Sequence, residues 1–170
     1  MSTGPYGFTI FCDDIRQEVG NKITYVGCYR SVLYVQGAFP LVLPKFGMAI
    51  TYREPEEMKP EKVGLHIYLP GDPDDKPSIQ GELVPEQMVK NFVEGKAPVR
   101  GPALGDESSD LVKVRAAHST LILSPLVIDQ PGTIRVRGRR GDETVVLGAL
   151  SIEPAPVVQE NQNKPKKGNK

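Results

Sequence analysis

Arginine recurs at every second position near the end of the chain, at Arg135, Arg137 and Arg139, and Arg140 follows at a Gly-Asp turn. Residues two apart in a β-strand point to the same side of the sheet, so the first three guanidinium groups are expected to share one face. A row of this kind can bind phosphate or carboxylate groups. The alternative is an exposed face, balanced by acidic residues at the turn, that deters edge-to-edge aggregation.

Two more cations, Lys113 and Arg115, lie in a strand predicted over residues 111–123. If that strand forms a hairpin with the arginine strand, both would extend the basic row into an anion-binding surface. Aromatic residues do not interleave with these cations, as they do in proteins that bind single-stranded nucleic acid. Lys+Arg and Asp+Glu both number 21, so no net charge attracts nucleic acid or anionic membranes. Nucleic-acid binding is therefore the less favoured use of this row.

The charged segment at residues 13–20 begins with Asp13 and Asp14 and continues with Arg16 and Glu18. Paired carboxylates beside an arginine could hold a metal ion or act as acid and base. The simpler interpretation is structural: an aspartate caps a turn, and Arg16 pairs with it to fix the register of a hairpin. We predict the structural role for Asp13, Asp14 and Arg16.

The two cysteines, Cys12 and Cys28, flank this segment and would lie opposite each other if the strands on its two sides paired. In a reducing compartment they are expected to be two buried thiols and not a disulfide. A catalytic cysteine would need His66 or His118 as a partner, and no signature supports either one. No catalytic residue is predicted.

Asp72, Asp74 and Asp75 lie close together in a proline-rich loop and could supply oxygen ligands to calcium. The loop lacks the terminal glutamate of a dedicated calcium loop, and Lys76 opposes a cation there. A solvated turn is the expected structure. The sequence predicts neither a metal nor a cofactor.

Short alternating apolar runs, separated by many of the 17 glycines and 16 prolines, predict a mostly β protein. The expected architecture is an antiparallel two-sheet β-sandwich of Ig/C2-like outline with one short helix at residues 85–95. A partly open β-barrel is the alternative. Strands are predicted at residues 6–12, 22–29, 46–52, 63–69, 111–123, 133–139 and 144–152. One domain is expected over residues 6–153, followed by a disordered basic tail at residues 154–170.

No run of about eighteen apolar residues is present, and the first residues do not have the pattern of a secretory signal. We therefore expect no membrane association and a cytoplasmic location. The favoured hypothesis is a non-enzymatic interaction or assembly module that binds another protein or itself, through the arginine row and a long loop at residues 94–109. The alternatives are an anion or nucleic-acid binder and, less favoured, a metal-dependent hydrolase.

The segment CDDIRQEVGNKITYVGCY at residues 12–29 resembles the opening of a bacterial family of small β-sandwich proteins of unknown function. Members of that family have a strand, a Cys/Glu-Asp-Asp-Ile-Arg-like connector, a Gly-Lys turn and a Gly-x-Tyr strand end. The turns at Pro131-Gly132 and Gly141-Asp142 are also similar to that family. The resemblance implies a β-sandwich in the bacterial cytoplasm and does not imply a mechanism.

Overall fold

The fold was obtained as a computed structural model that describes residues 4–20, 22–83 and 114–156. Most of these residues lie in β-strands, as predicted, and the described part contains no helix. The strands are β1 (Tyr6–Cys12), β2 (Asp14–Glu18), β3 (Lys22–Val26), β4 (Val32–Val35), β5 (Leu41–Leu43), β6 (Phe46–Pro55), β7 (Val63–Tyr68), β8 (Ile79–Leu83), β9 (Val114–Leu123), β10 (Leu126–Ile128), β11 (Gly132–Arg140) and β12 (Glu143–Pro154). The helix predicted at residues 85–95, the loop at 94–109, Lys113 and the tail beyond residue 156 lie outside the described residues.

The strands form two larger sheets and two small pairs. One sheet has the order β1-β6-β9, another has the order β4-β12-β11-β7-β8, and β2-β3 and β10-β5 pair separately. Within the described residues no sheet closes on itself, so the barrel alternative is not observed. The prediction of purely antiparallel pairing is wrong at one place, because β4 runs parallel to β12.

The larger of two hydrophobic clusters in the described residues lies between the three-stranded and the five-stranded sheets. Alternate residues of the outer strands point into it, whereas the central strand β6 is buried at nearly every position. The buried side chains of this core include Phe46, Met48, Ile50 and Tyr52 from β6, and Leu65, Ile67, Ile134, Val136, Leu147 and Leu150 from the other sheet. The arrangement is therefore sandwich-like.

Strand β1 pairs with β6, which corrects the prediction that it pairs with the strand after the charged segment. The charged segment is not only a turn: its residues 14–18 form β2, which pairs with β3 in a separate hairpin. The chain bends at Asp13, whose backbone N–H donates to the carbonyl oxygens of Val26 (3.0 Å) and Gly27 (3.3 Å). Gly27 has a φ of 65°, a conformation that favours glycine. Because of this bend, residues 6–12 pair with β6 in the three-stranded sheet, whereas residues 14–18 pair with β3 in a separate two-stranded sheet.

Strand β9 pairs with β6, and the described part of the chain shows no pairing between β9 and β11. The predicted hairpin between the two basic strands is therefore wrong, and β9 belongs to the sheet opposite the arginine strand. The partners of β11 are β7 and β12. Within the described residues, no helix has the length and hydrophobicity needed to cross a membrane.

Candidate anion-binding groove

The arginine strand β11 alternates buried and accessible residues, so its two faces differ sharply. Ile134 and Val136 are fully buried in the core. Arg135, Arg137 and Arg139 lie on the outer face, where they line a groove of about 330 Å³. The residues lining this arginine groove are Tyr68, Asp74, Arg135, Arg137, Arg139 and Thr144.

Arg135 is fixed as one wall of the groove. Its Nη1 forms an ion pair with Asp74, and its Nη2 donates to the carbonyl oxygen of Asp72 at 2.8 Å. The guanidinium carbon lies 4.7 Å from the centre of the Tyr68 ring, which is within the range of a cation–π contact. The Tyr68 hydroxyl in turn donates to the Asp74 carbonyl at 3.0 Å. These contacts explain why Tyr68 is buried although it points outward from β7.

The loop that carries Asp74 is held by Asp72. The Asp72 carboxylate accepts hydrogen bonds from the backbone N–H groups of Leu69 (2.8 Å) and Ser78 (2.9 Å). Burial acts to raise the pKa of Asp72, but hydrogen bonds from Ser78 and Leu69, with the nearby Arg135, lower it overall. These hydrogen bonds hold the loop in place beside the groove. Its aspartates do not form a cation site, since the described residues contain no group of three or more metal-ligating side chains.

Arg137 and Arg139 carry the uncompensated charge of the groove. Within the described ranges neither side chain forms an ion pair, and Arg137 Nη1 donates only to the Val136 carbonyl oxygen, at 3.3 Å. Gly64 lies opposite Arg139 on β7 and has no side chain to cover it. The acidic residues of the following turn, which could have balanced the row, do not pair with it. Two guanidinium groups thus face a groove in which the lining carboxylate, Asp74, is already paired with Arg135.

His66 lies opposite Arg137 on β7, on the same outer face. Its ring packs edge-on against Tyr68, with 6.5 Å between ring centres. The Nδ1 atom is buried and has no hydrogen-bond partner. The outer face around Arg137 is therefore polar, and one buried nitrogen on it, His66 Nδ1, has no hydrogen-bond partner.

Arg115 and Arg140 do not belong to this groove, which corrects their expected place in the basic row. Both side chains converge on Glu54, which is fully buried. Arg115 Nη2 lies 2.8 Å from one Glu54 oxygen and Arg140 Nε lies 3.2 Å from the other. The Tyr52 hydroxyl donates to the same carboxylate at 3.0 Å, and burial together with this bond raises the pKa of Tyr52. Arg140 Nη1 also lies 3.4 Å from Glu61, so two carboxylates balance the two guanidinium groups and the role of the cluster is structural.

The predicted structural segment also uses its charges internally. Asp14 accepts from Arg16 Nε at 3.0 Å and pairs with Lys45, and hydrogen bonds from Lys45 and then Arg16 lower the pKa of Asp14 to about 2. Asp13 accepts from the Tyr29 hydroxyl. These carboxylates anchor the β2–β3 hairpin and are not assembled with a histidine.

Both cysteines are free, and they differ in accessibility. Cys12 is buried as predicted, whereas Cys28 is exposed, which corrects the expectation of two buried thiols. Burial, with smaller contributions from Cys28 and Asp13, raises the pKa of Cys12 to about 11.

We therefore expect iodoacetamide at pH 8 to modify Cys28 rapidly and Cys12 only after unfolding. The thiolate is the reactive form, and a thiol with this pKa is about one-thousandth ionised at pH 8. Mass spectrometry of native and urea-unfolded samples, with Cys28→Ser as the control, measures both rates. Rapid labelling of Cys12 in folded Cys28→Ser protein would contradict the buried position of this thiol.

Three residues of the groove were missed from the sequence: Tyr68, Asp74 and Thr144. Alternation along the strand at residues 63–69 does place Tyr68 outward, and this signal could have linked it to the arginine row. The sequence around Asp74 indicated only a possible ligand to calcium. Its pairing with Arg135 spans 61 residues and depends on β7 being the neighbour of β11.

The fold and the groove together define a mostly β protein with a cationic groove on the outer face of its larger sheet. Comparison with protein-family models, with curated proteins and with solved structures finds no match to this chain. The resemblance of residues 12–29 to a bacterial family stays a prediction.

Proposed function

We propose that this chain is a non-enzymatic interaction module of the bacterial cytoplasm, built as an Ig/C2-like sandwich, that binds an acidic segment of a partner protein in the arginine groove. The observation that carries the proposal is the pair Arg137 and Arg139. Both side chains lie beside Arg135, which is held by Asp72 and Asp74, and neither has a carboxylate partner among the described residues. Guanidinium groups bind carboxylates through paired, charge-assisted hydrogen bonds, so an acidic ligand would complete this face.

The spacing of the arginines favours an extended peptide. Side chains two residues apart on a strand are separated by about 6.6 Å. An extended segment with acidic residues at alternate positions repeats at the same distance, so its carboxylates match Arg137 and Arg139 one to one. Arg135, already paired with Asp74, would position the peptide but contribute less charge.

Nucleic acid is the less favoured ligand because the groove offers no ring for base stacking. The Tyr68 ring is only 4% exposed and lies under Arg135. Single-strand binders depend on accessible aromatic faces as well as on cations. An acidic protein segment can bind without base stacking, because its carboxylates need only the guanidinium groups of Arg137 and Arg139.

A fluorescence-anisotropy titration tests the proposal with a labelled peptide of alternating glutamate and threonine. The double change Arg137→Ala/Arg139→Ala is expected to weaken binding at least about tenfold, because each variant residue removes a charged partner. Binding should also weaken as salt is raised. Arg16→Ala is the matched control, since it removes an exposed arginine from β2 and should leave affinity unchanged.

Two further probes make the outcome decisive. A peptide with glutamine in place of glutamate should bind at least about tenfold more weakly, since it keeps the shape and lacks the charge. Equal affinity of the double variant and the unaltered protein would overturn the proposal. Tighter binding of a single-stranded oligonucleotide than of the acidic peptide would show that nucleic acid is the ligand class instead.

A further inference from the structure

A second unsatisfied cation lies on the opposite side of the molecule, on the outer face of the β1-β6-β9 sheet. The strand register there places Tyr6, Arg53 and Ala116 in one row across the three strands. The next row contains Phe8, Thr51 and His118. This end of the face lies beyond the part covered by the β2–β3 hairpin, which packs through Ile15, Tyr25, Cys12 and Ala49.

Arg53 is only partly accessible, and its Nε atom is buried without a hydrogen-bond partner. No described carboxylate pairs with it. The register neighbours on both rows are aromatic, small, hydroxyl-bearing or imidazole side chains, and none of them is acidic. Partial burial of a charge with an unsatisfied donor costs free energy, which an anion bound to the guanidinium would offset.

The neighbours of Arg53 leave it as the one charge of the two rows. His118 Nδ1 lies 3.0 Å from the Thr51 hydroxyl oxygen. Burial, and then the charge of Arg53, lowers the pKa of His118, so the imidazole is neutral at neutral pH. A single guanidinium with neutral polar groups on one side suits a ligand with one negative charge.

Aromatic surface borders the guanidinium on the other side. Tyr6 is 43% exposed and Phe8 is 46% exposed, and the two side chains lie two residues apart on the same face of β1. Adjacent strands are about 4.8 Å apart, so a ring stacked on β1 and a carboxylate on β6 must belong to one short molecule. We infer that this face is a second binding site, for a small aromatic monocarboxylate whose carboxylate binds Arg53 and whose ring packs on Tyr6 and Phe8. The inference does not depend on the function proposed for the arginine groove.

Phenylacetate is the probe, titrated into the full chain while arginine Nε–H and histidine ring resonances are followed by NMR. The expected result is saturable movement of the Arg53 and His118 signals at lower phenylacetate concentrations than any movement of the Arg137 and Arg139 signals. Arg53→Gln should weaken binding at least tenfold, and Phe8→Ala should weaken it severalfold. Arg16→Gln is the matched control and should bind normally.

The neutral analogue phenylacetamide and simple acetate separate the two parts of the site. Each should bind at least tenfold more weakly than phenylacetate, because one lacks the charge and the other lacks the ring. If Arg53→Gln fails to fold, the comparison among these three probes and the Phe8→Ala variant decides the question. Phenylacetate binding that leaves the Arg53 signal unmoved, or no binding at all, would overturn the inference.

Discussion

Replacing Glu54 with alanine is expected to lower the free energy of unfolding by about 3–5 kcal/mol. Glu54 is fully buried, and it is the shared partner of Arg115 and Arg140, whose side chains are only 14% and 13% exposed. Without the carboxylate, Arg115 would lose its counter-charge, and Arg140 would keep only the more exposed Glu61, at 3.4 Å. The Tyr52 hydroxyl would lose its acceptor as well. Urea denaturation monitored by circular dichroism measures the loss.

Glu82→Ala is the matched control for this experiment. Glu82 also forms an ion pair, with Lys62 at 3.4 Å, but the two side chains are 58% and 74% exposed. Exposed pairs of this kind contribute at most about 1 kcal/mol. A loss for Glu54→Ala no larger than that for Glu82→Ala would contradict the structural role of the cluster.

Gly7→Ala is expected to destabilise the fold by about 3 kcal/mol, near the upper end for overpacking. Gly7 lies on β1, opposite Tyr52, and faces the five-stranded sheet. An added Cβ would run into the backbone carbonyl oxygen of Thr51 and would lie 2.6 Å from Leu147 Cδ2. The carbonyl cannot move aside as a flexible side chain could, so β1 would have to shift away from β6, its partner in the same sheet.

Gly81→Ala provides the control for Gly7→Ala because it also adds one methyl group to a strand. The nearest atom to that Cβ is Leu65 Cβ, at 4.0 Å, which is ordinary contact. We expect little change, or a gain of up to about 1 kcal/mol from the lower chain entropy of alanine. Thermal unfolding of both variants tests the comparison, and equal melting temperatures would show that β1 does not approach the second sheet so closely.

Strand positions with clean alternation could be predicted from the sequence. The pattern at residues 63–69 placed Val63, Leu65, Ile67 and Leu69 inward; the first three are buried, and Leu69 is partly buried against the core. Alternation of apolar and polar residues does not predict a buried position that holds a charged residue paired with opposite charges. Residues 53–55 lie beyond the strand predicted at residues 46–52, yet they continue β6, because Glu54 is neutralised by arginines 61 and 86 positions away.

The pairing of strands was harder to predict than their existence. A local hairpin between residues 6–12 and 22–29 looked favourable because its loop closure is short. The protein instead pairs β1 with β6 and uses the bend at Asp13 to start a separate hairpin. The apolar inner face of β6 offered more burial to β1 than the polar β3 could, and that comparison requires the full fold.

The arginine groove could also be predicted only in part: the shared face of its arginines follows from the sequence, and their ion pairs do not. Period-two spacing was enough to place Arg135, Arg137 and Arg139 on one face. The sequence did not indicate which charges would be compensated: Arg135 is paired with Asp74, whereas Arg115 and Arg140 leave the row for Glu54. Those pairings depend on strand order, so only the structure isolates Arg137 and Arg139.

The most direct test of the proposed function is an NMR titration of the arginine Nε–H signals with the alternating glutamate–threonine peptide. The account predicts that the signals of Arg137 and Arg139 move together and saturate, that Arg135 moves less, and that Arg115, Arg140 and Arg16 stay unchanged. Saturating shifts confined to arginines outside the groove, or no shift at concentrations where the peptide binds, would contradict it.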